Sequence, residues 1–272
     1  MPLKLISNAA QNLVDRFRVE DLASTSADLR LWLQSDFGRY LQARELELLQ
    51  RNYSDLPGYR FLRLGLSEDI QCLNSFKHIH HLSLHPAELN GAHGALANYS
   101  ELPLMSETID VMLLQHALEF SQTPRAVLAE ASRVVMPGGH LLLCMFNPFG
   151  PVGAAKFPMQ LFSDKPQFRF HNLRLGRLTD WLSLLNFHVE QIEHGAYNLP
   201  FGGSATDQQL ADKSRWEKAA EKIRLPMGNF YMIHAVKRVP RGIRGPGKAW
   251  RAATTKSYRV SEGLKRTATK KS

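Results

Sequence analysis

The sequence predicts an α/β fold in which a parallel sheet is covered by helices on both faces. Three observations carry this expectation. Strand-length apolar runs alternate with helical patterns from residue 60 to residue 192. Two of the runs, Ile109–Gln115 (IDVMLLQ) and His140–Phe146 (HLLLCMF), are apolar with almost no alternation, the pattern of strands buried on both faces. Between them, Thr123-Pro124 reads as a helix start and Pro137-Gly138-Gly139 as a stop.

Taken in order, residues 1–27 are polar and mixed around Ser24-Thr25-Ser26 and read as a weakly ordered extension. Residues 28–52 read as helix. Trp32, Phe37, Tyr40, Leu41, Leu48 and Leu49 recur with a rough 3.6 period, and Asp36-Phe37-Gly38 offers a break. Arg60–Leu64 is a compact strand ending at Gly65. Ser67–Phe76 follows as a helix, with Ser67 as its cap and two acids in its first turn. Ile79–Leu84 is a second strand, ended by Pro86, and a short strand or turn precedes Leu102-Pro103. After Thr123-Pro124, residues Val127, Leu128, Ala131, Val134 and Val135 form one apolar helix face. Leu178, Trp181, Leu182 and Leu185 form another, broken by Asn186. Phe187–Ile192 and Phe230–Val236 close the pattern as strands. Residues 195–226 between them read as an insertion.

Composition narrows the function classes. The chain has 272 residues, 44% hydrophobic and 22% charged, as a globular, soluble domain has. No apolar run approaches the roughly 20 residues of a membrane span, and the N-terminus lacks a secretory h-region. Two cysteines, Cys72 and Cys144, form neither a CxxC pair nor a disulfide framework, so a cytoplasmic setting and no structural metal are expected. The whole chain carries +9 and residues 238–272 carry +10, which leaves −1 on residues 1–237. The basic segment is rich in Pro, Gly, Ser and Thr and reads as a disordered tail. The expected organisation is therefore an extension over 1–27, a domain over 28–237 and a tail over 238–272.

The stretch Glu101–Leu143 carries a resemblance. Leu102-Pro103-Leu104, Ile109-Asp110, Gln115–Glu119, Pro124–Val135 and Pro137-Gly138-Gly139 match, in order and spacing, the pattern of class I S-adenosylmethionine-dependent methyltransferases of the type 11 branch. Phe146-Asn147-Pro148-Phe149 and Asp180–Phe187 are similar to a bacterial subgroup of that branch whose members also end in a basic tail. The resemblance implies a Rossmann-like, seven-stranded, mostly parallel sheet and S-adenosyl-L-methionine as cofactor. It implies a methyl acceptor, a small molecule, without identifying it.

It also implies site positions. The cofactor of such a fold lies outside the carboxyl ends of the strands. FLRLGLSEDIQ then becomes the first strand and turn, with Gly65, Leu66 and Ser67 against the methionine part. The usual acid of the first strand is Arg63, and Ser67 and Asp69 stand where further glycines belong. The ribose position falls on Ser83, the adenine position on Asn98 with Tyr99, and Gln115 ends the fourth strand. A hydroxyl at Ser83 replaces a charge-assisted hydrogen bond with a neutral one, so the cofactor should bind more weakly.

Each residue also has an ordinary reading. Gly65 could be a plain strand-to-helix turn, and Ser67 only a cap. His116 is the one candidate for a catalytic base, a pocket wall or a structural group. Glu119 reads as a surface or helix-terminal carboxylate. His78, His80, His81 and His85 cluster in sequence, but strand alternation splits 80 from 81, against one metal site. Trp181 reads as core. Phe149, Phe157 and Phe162 either line an acceptor pocket or pack beneath a loop. The tail is either solvated or a loose, salt-sensitive contact for nucleic acid or an anionic membrane. The functional expectation is a methyltransferase. The alternatives are an inactive methyltransferase-fold scaffold and a nucleic-acid-associated enzyme steered by its tail.

Overall fold

The computed structural model describes residues 18–67, 74, 76–88, 94–163, 165–199 and 213–238. The helix expected over Ser67–Phe76 lies mostly outside them, as do Asp69, Cys72 and all but the first residue of the tail expected over 238–272.

Seven strands form one sheet: β1 (Arg60–Gly65), β2 (His80–His85), β3 (Ala95–Leu96), β4 (Ile109–Gln115), β5 (Val135–Phe146), β6 (Phe187–Gly195) and β7 (Phe230–Lys237). Their order is β3-β2-β1-β4-β5-β7-β6. The first five pair in parallel, and β7 runs antiparallel to both β5 and β6. Successive residues of a strand face opposite sides of a sheet. Val111, Met112, Leu113 and Leu114 of β4 and Leu141, Leu142 and Leu143 of β5 are all fully buried, so both faces are covered. The α/β class and the near-continuous apolar strands follow from one cause, the exclusion of water from both sides.

The helices are α1 (Leu22–Leu33), α2 (Asp36–Tyr53), α3 (Pro124–Val134), α4 (Pro151–Phe162), α5 (Leu175–Leu184) and α6 (Arg215–Ile223). Their ends depart from expectation in instructive ways. α1 begins at Leu22, inside the stretch expected to be weakly ordered. Asp21 caps it by accepting from the Ala23 and Ser24 amides, and Ser24, Thr25 and Ser26 donate to backbone carbonyls three or four residues back. The break between α1 and α2 falls at Gln34-Ser35, where Ser35 Oγ accepts from the Gly38 amide at 3.2 Å. Gly38 is not the break but its packing condition: a Cβ there would lie 2.5 Å from the Leu33 and Trp32 carbonyl oxygens.

α3 buries Val127, Leu128, Ala131 and Val134, as its periodicity predicts. Thr123 makes no side-chain cap bond; Ser121 Oγ accepts from the Thr123 amide instead. The helix ends at Val134, and Pro137-Gly138-Gly139 lies within β5 rather than at the helix stop. There the register slips between Ile109 and Val111, Gly138 takes a φ of 81°, and a Cβ on Gly139 would meet the Asp110 carbonyl oxygen at 2.8 Å. Asn186 closes α5 with a φ of 64°, a conformation asparagine tolerates. The expected insertion contains α6. Its Glu217 is fully buried and accepts from the Tyr40 hydroxyl and, at 3.2 Å, from Arg44 Nε, which ties the segment to α2.

Candidate functional site

Chain order reverses across the sheet between β1 and β4. Their carboxyl ends, Gly65 and Gln115, are paired neighbours there. Such a switch point opens a crevice for a ligand. Here much of it is filled by a buried polar network. Arg63, fully buried on β1, donates to Gln115 Oε1 from Nε at 3.0 Å and from Nη2 at 2.8 Å. Gln115 Nε2 donates to Glu45 Oε2 at 2.6 Å. His116, with a φ of 54° in the turn after β4, donates from Nε2 to Glu45 Oε1 and from Nδ1 to Glu119 Oε1, both at 2.7 Å. Glu119 Oε1 also accepts from the Phe146 amide at 3.1 Å.

Both ring nitrogens of His116 donate, so the ring is an imidazolium. Burial opposes that charge, but Glu45 and Glu119 outweigh it and raise the pKa well above the ordinary histidine value. No ring lone pair is left to accept a substrate proton. The geometry therefore speaks for the structural reading of His116 over the catalytic one. Glu119 is a core carboxylate and not the surface group its sequence context suggests. Two cations, Arg63 and His116, stand against two carboxylates, Glu45 and Glu119.

The site positions expected from the sequence sort as follows. Gly65, Leu66 and Ser67 come together at the carboxyl end of β1, all buried. Ser67 Oγ donates to Gln42 Oε1 of α2 at 2.7 Å. The Gly65 carbonyl accepts from the Tyr99 hydroxyl at 2.9 Å, and that hydroxyl also reaches the Leu84 carbonyl at 3.0 Å. Tyr99 thus contributes its side chain beneath the turn, beyond the backbone amide the resemblance implies. Asn98 is exposed, and its Oδ1 accepts from the Ser100 amide and hydroxyl. Ser83 lies one alternation inside β2, and its Oγ is 3.0 Å from His85 Nε2.

His85, not Ser83, ends β2. Its Nδ1 is 3.3 Å from the Gly65 carbonyl oxygen. Burial, then the Arg63 charge, push its pKa down to about 4, so the ring is neutral. Sequence reasoning missed His85, although it lies 20 residues after Gly65 and immediately before Pro86, the spacing of the ribose position. It also missed Glu45, whose partners are distant in sequence. The other histidines disperse: the His78 and His81 rings are 6.4 Å apart on the flank of Phe61, and His80 is exposed.

Glu45, His116 and Cys144 bring metal-ligating atoms within 4.8 Å of one another. Those of Glu45 and His116 are already spent on the hydrogen bonds above. Burial pushes the Cys144 thiol up, against the thiolate a metal needs.

Beside the network a cavity of about 370 Å³ opens among Pro86, Ala97, Asn98, Tyr99 and Ser100, roofed by the start of α1 at Asp21–Ala23. Asn98 and Tyr99, the residues expected at the adenine, are among those that line it.

Residues 71–143 match the family model described as a methyltransferase domain. The chain is 32% identical over 141 residues to the uncharacterized protein YafS of Escherichia coli K12, a match covering 50% of this chain and 56% of that protein. It thus spans about half the length of that relative. Among solved structures, it superposes with a TM-score of 0.52 on an S-adenosylmethionine-dependent methyltransferase of Thermotoga maritima, at 18% identity over 73% of this chain and 89% of that one. A second, from Archaeoglobus fulgidus, gives a TM-score of 0.51 at 15% identity, over 73% of this chain and 94% of that one.

Family and fold imply S-adenosylmethionine as cofactor. The described residues fit it with fewer charges than a carboxylate-lined site. A cavity opens beside Asn98 and Tyr99, and Ser83 lies against the neutral His85 ring at the end of β2. The sheet order and the superpositions agree: the chain has the fold of class I S-adenosylmethionine-dependent methyltransferases, and its residues 71–143 match a methyltransferase domain.

Proposed function

We propose that this protein transfers a methyl group from S-adenosylmethionine to a small-molecule acceptor. The observation that carries the reading is the cavity beside Asn98 and Tyr99, lined also by Pro86 just past β2 and by Ser121–Thr123 ahead of α3. When bound, the cofactor supplies an activated methyl group. The chain's own residues bind and orient. Asn98 and the Tyr99 backbone flank the adenine, Ser83 and His85 meet the ribose hydroxyls, and Gly65, Leu66 and Ser67 face the methionine part. Gln115 is clamped by Arg63 and Glu45, and so holds the floor between β1 and β4 rigid. His116 fixes the turn after β4 and does not act as the base. The acceptor therefore has to bring an electron-rich atom of its own.

Calorimetry with S-adenosylmethionine and S-adenosylhomocysteine tests this. Both should bind, more weakly than to a site with a ribose carboxylate. No binding of either at millimolar concentration sinks the enzyme reading and leaves a methyltransferase-fold scaffold. A cytoplasmic location and salt-sensitive contacts of residues 238–272 with nucleic acid or anionic membranes belong to the same proposal. The +10 charge of that segment supports the contacts. Deleting 238–272 should abolish retention on RNA or anionic vesicles; undiminished retention removes the tail from the account. Among the described residues no helix is long and apolar enough to cross a membrane.

A further inference from the structure

A second cavity, also about 370 Å³, lies between α4 and the extended segment 170–172. Its only formal charge is the ammonium of Lys156, a residue 6% exposed. Lys156 Nζ donates to the Phe170 carbonyl and, at 2.8 Å, to Asn172 Oδ1, and it lies 4.2 Å from the centre of the Phe170 ring. Both hydrogen-bond acceptors are neutral, and a third N–H is left over. Among the described residues no carboxylate reaches this ammonium within salt-bridge distance. Lysine is almost never buried without a counter-charge.

A second group in the same cavity is also unmatched. His171 Nε2 is buried with no hydrogen-bond partner. Burial, then the Lys156 charge, hold the ring below the ordinary histidine pKa, so it is neutral; its one N–H goes to the Ser121 backbone, which leaves Nε2 as an acceptor. The segment is fixed in place: the His171 amide donates to the Glu119 carbonyl at 2.7 Å. Phe157, 62% exposed, stands at the mouth, and Phe170 forms a wall.

We infer that this cavity is a binding site for a small organic anion, its carboxylate or phosphate on Lys156 and its flat apolar part between Phe157 and Phe170. An anion there supplies the missing counter-charge and takes the third ammonium hydrogen. The aromatic walls match a ligand body that is planar and unsaturated. The inference does not rest on the methyltransferase reading, because the cavity shares no lining residue with the one beside Asn98.

Calorimetry on the full chain, without S-adenosylmethionine, tests it with benzoate, phenyl phosphate, inorganic phosphate and benzamide. Benzoate or phenyl phosphate should bind at millimolar concentration or better, and benzamide, equal in shape but neutral, should bind at least about tenfold more weakly. Lys156→Gln should weaken the anion by at least about tenfold, with thermal midpoints checked in parallel. Three results overturn the inference: no heat with either aromatic anion, benzamide binding as well as benzoate, or undiminished binding by folded Lys156→Gln. Inorganic phosphate binding as tightly as phenyl phosphate overturns the organic part and leaves a free-phosphate site. The benzoate–benzamide comparison uses the unaltered chain, so it decides even where a variant fails to fold.

Discussion

Two buried charge clusters of the domain are built on opposite principles. After β4, Arg63 and His116 face Glu45 and Glu119, and nearly every polar atom is bonded to another side chain. Under α4, Lys156 is buried against neutral acceptors and an open cavity. The first cluster matches its charges within the chain, with Glu119 Oε2 alone of its carboxylate oxygens lacking a hydrogen bond. The second is complete only with a molecule from outside. Burial alone does not mark a functional charge; burial without an internal counter-charge does.

The hardest break falls on the complete cluster. Glu45→Leu leaves two buried cations against one carboxylate. It should cost about 3–5 kcal/mol, read as a lower urea midpoint. A change below about 1 kcal/mol would show that the four charges do not depend on one another.

Next comes pH. His116 has a folded pKa raised above its unfolded value, so its contribution is complete below about pH 6.5 and is lost as pH rises through the folded value. His85 and His234 are depressed to about 4, and so stability falls as pH drops from about 6.5 towards 4. Thermal midpoints should peak near neutrality. His116→Gln should remove the alkaline decline selectively, and a variant that keeps the wild-type alkaline slope would assign that decline to another group.

A smaller effect sharpens the contrast. Lys156→Met removes a buried cation that no carboxylate compensates. It should change stability by less than about 1 kcal/mol, or raise it, while Glu45→Leu does not. A large loss at Lys156 would mean its charge is already matched. Another effect concerns the cofactor. His85→Asp restores a carboxylate at the end of β2 and should tighten S-adenosylmethionine by about tenfold, whereas Ser83→Asp, one step inside the strand, should gain less. Equal or opposite changes would move the ribose position away from His85.

The strands and the sheet class were legible in the sequence because double burial writes itself as consecutive apolar residues. IDVMLLQ and HLLLCMF needed nothing else. Helix starts were less legible. At Asp21 and Ser35 the caps were serine- and acid-rich stretches that also read as loop, and only packing against the sheet decides. The glycine turn at Gly65 was found by its place after β1. The site around it was not, because Glu45 comes from α2, and His85 and Glu119 carry no local signal of burial. Lys156 sits in an ordinary amphipathic stretch; what distinguishes it is an absence of carboxylates, which is a property of space.

The position of β7 has a consequence for synthesis. The last strand made is not the last in the sheet: β7 lies between β5 and β6 and pairs with both. Until residues 230–237 leave the ribosome, β5 presents an open edge of unpaired amides and carbonyls on an apolar strand, and β6 has nothing to join. A chain stalled before Phe230 should therefore show exchange-protected amides in β1 and β4 but none in β6. Protection in β6 at that length would mean that it docks without its neighbour. The newborn protein spends its final stretch of translation with its most adhesive surface uncovered.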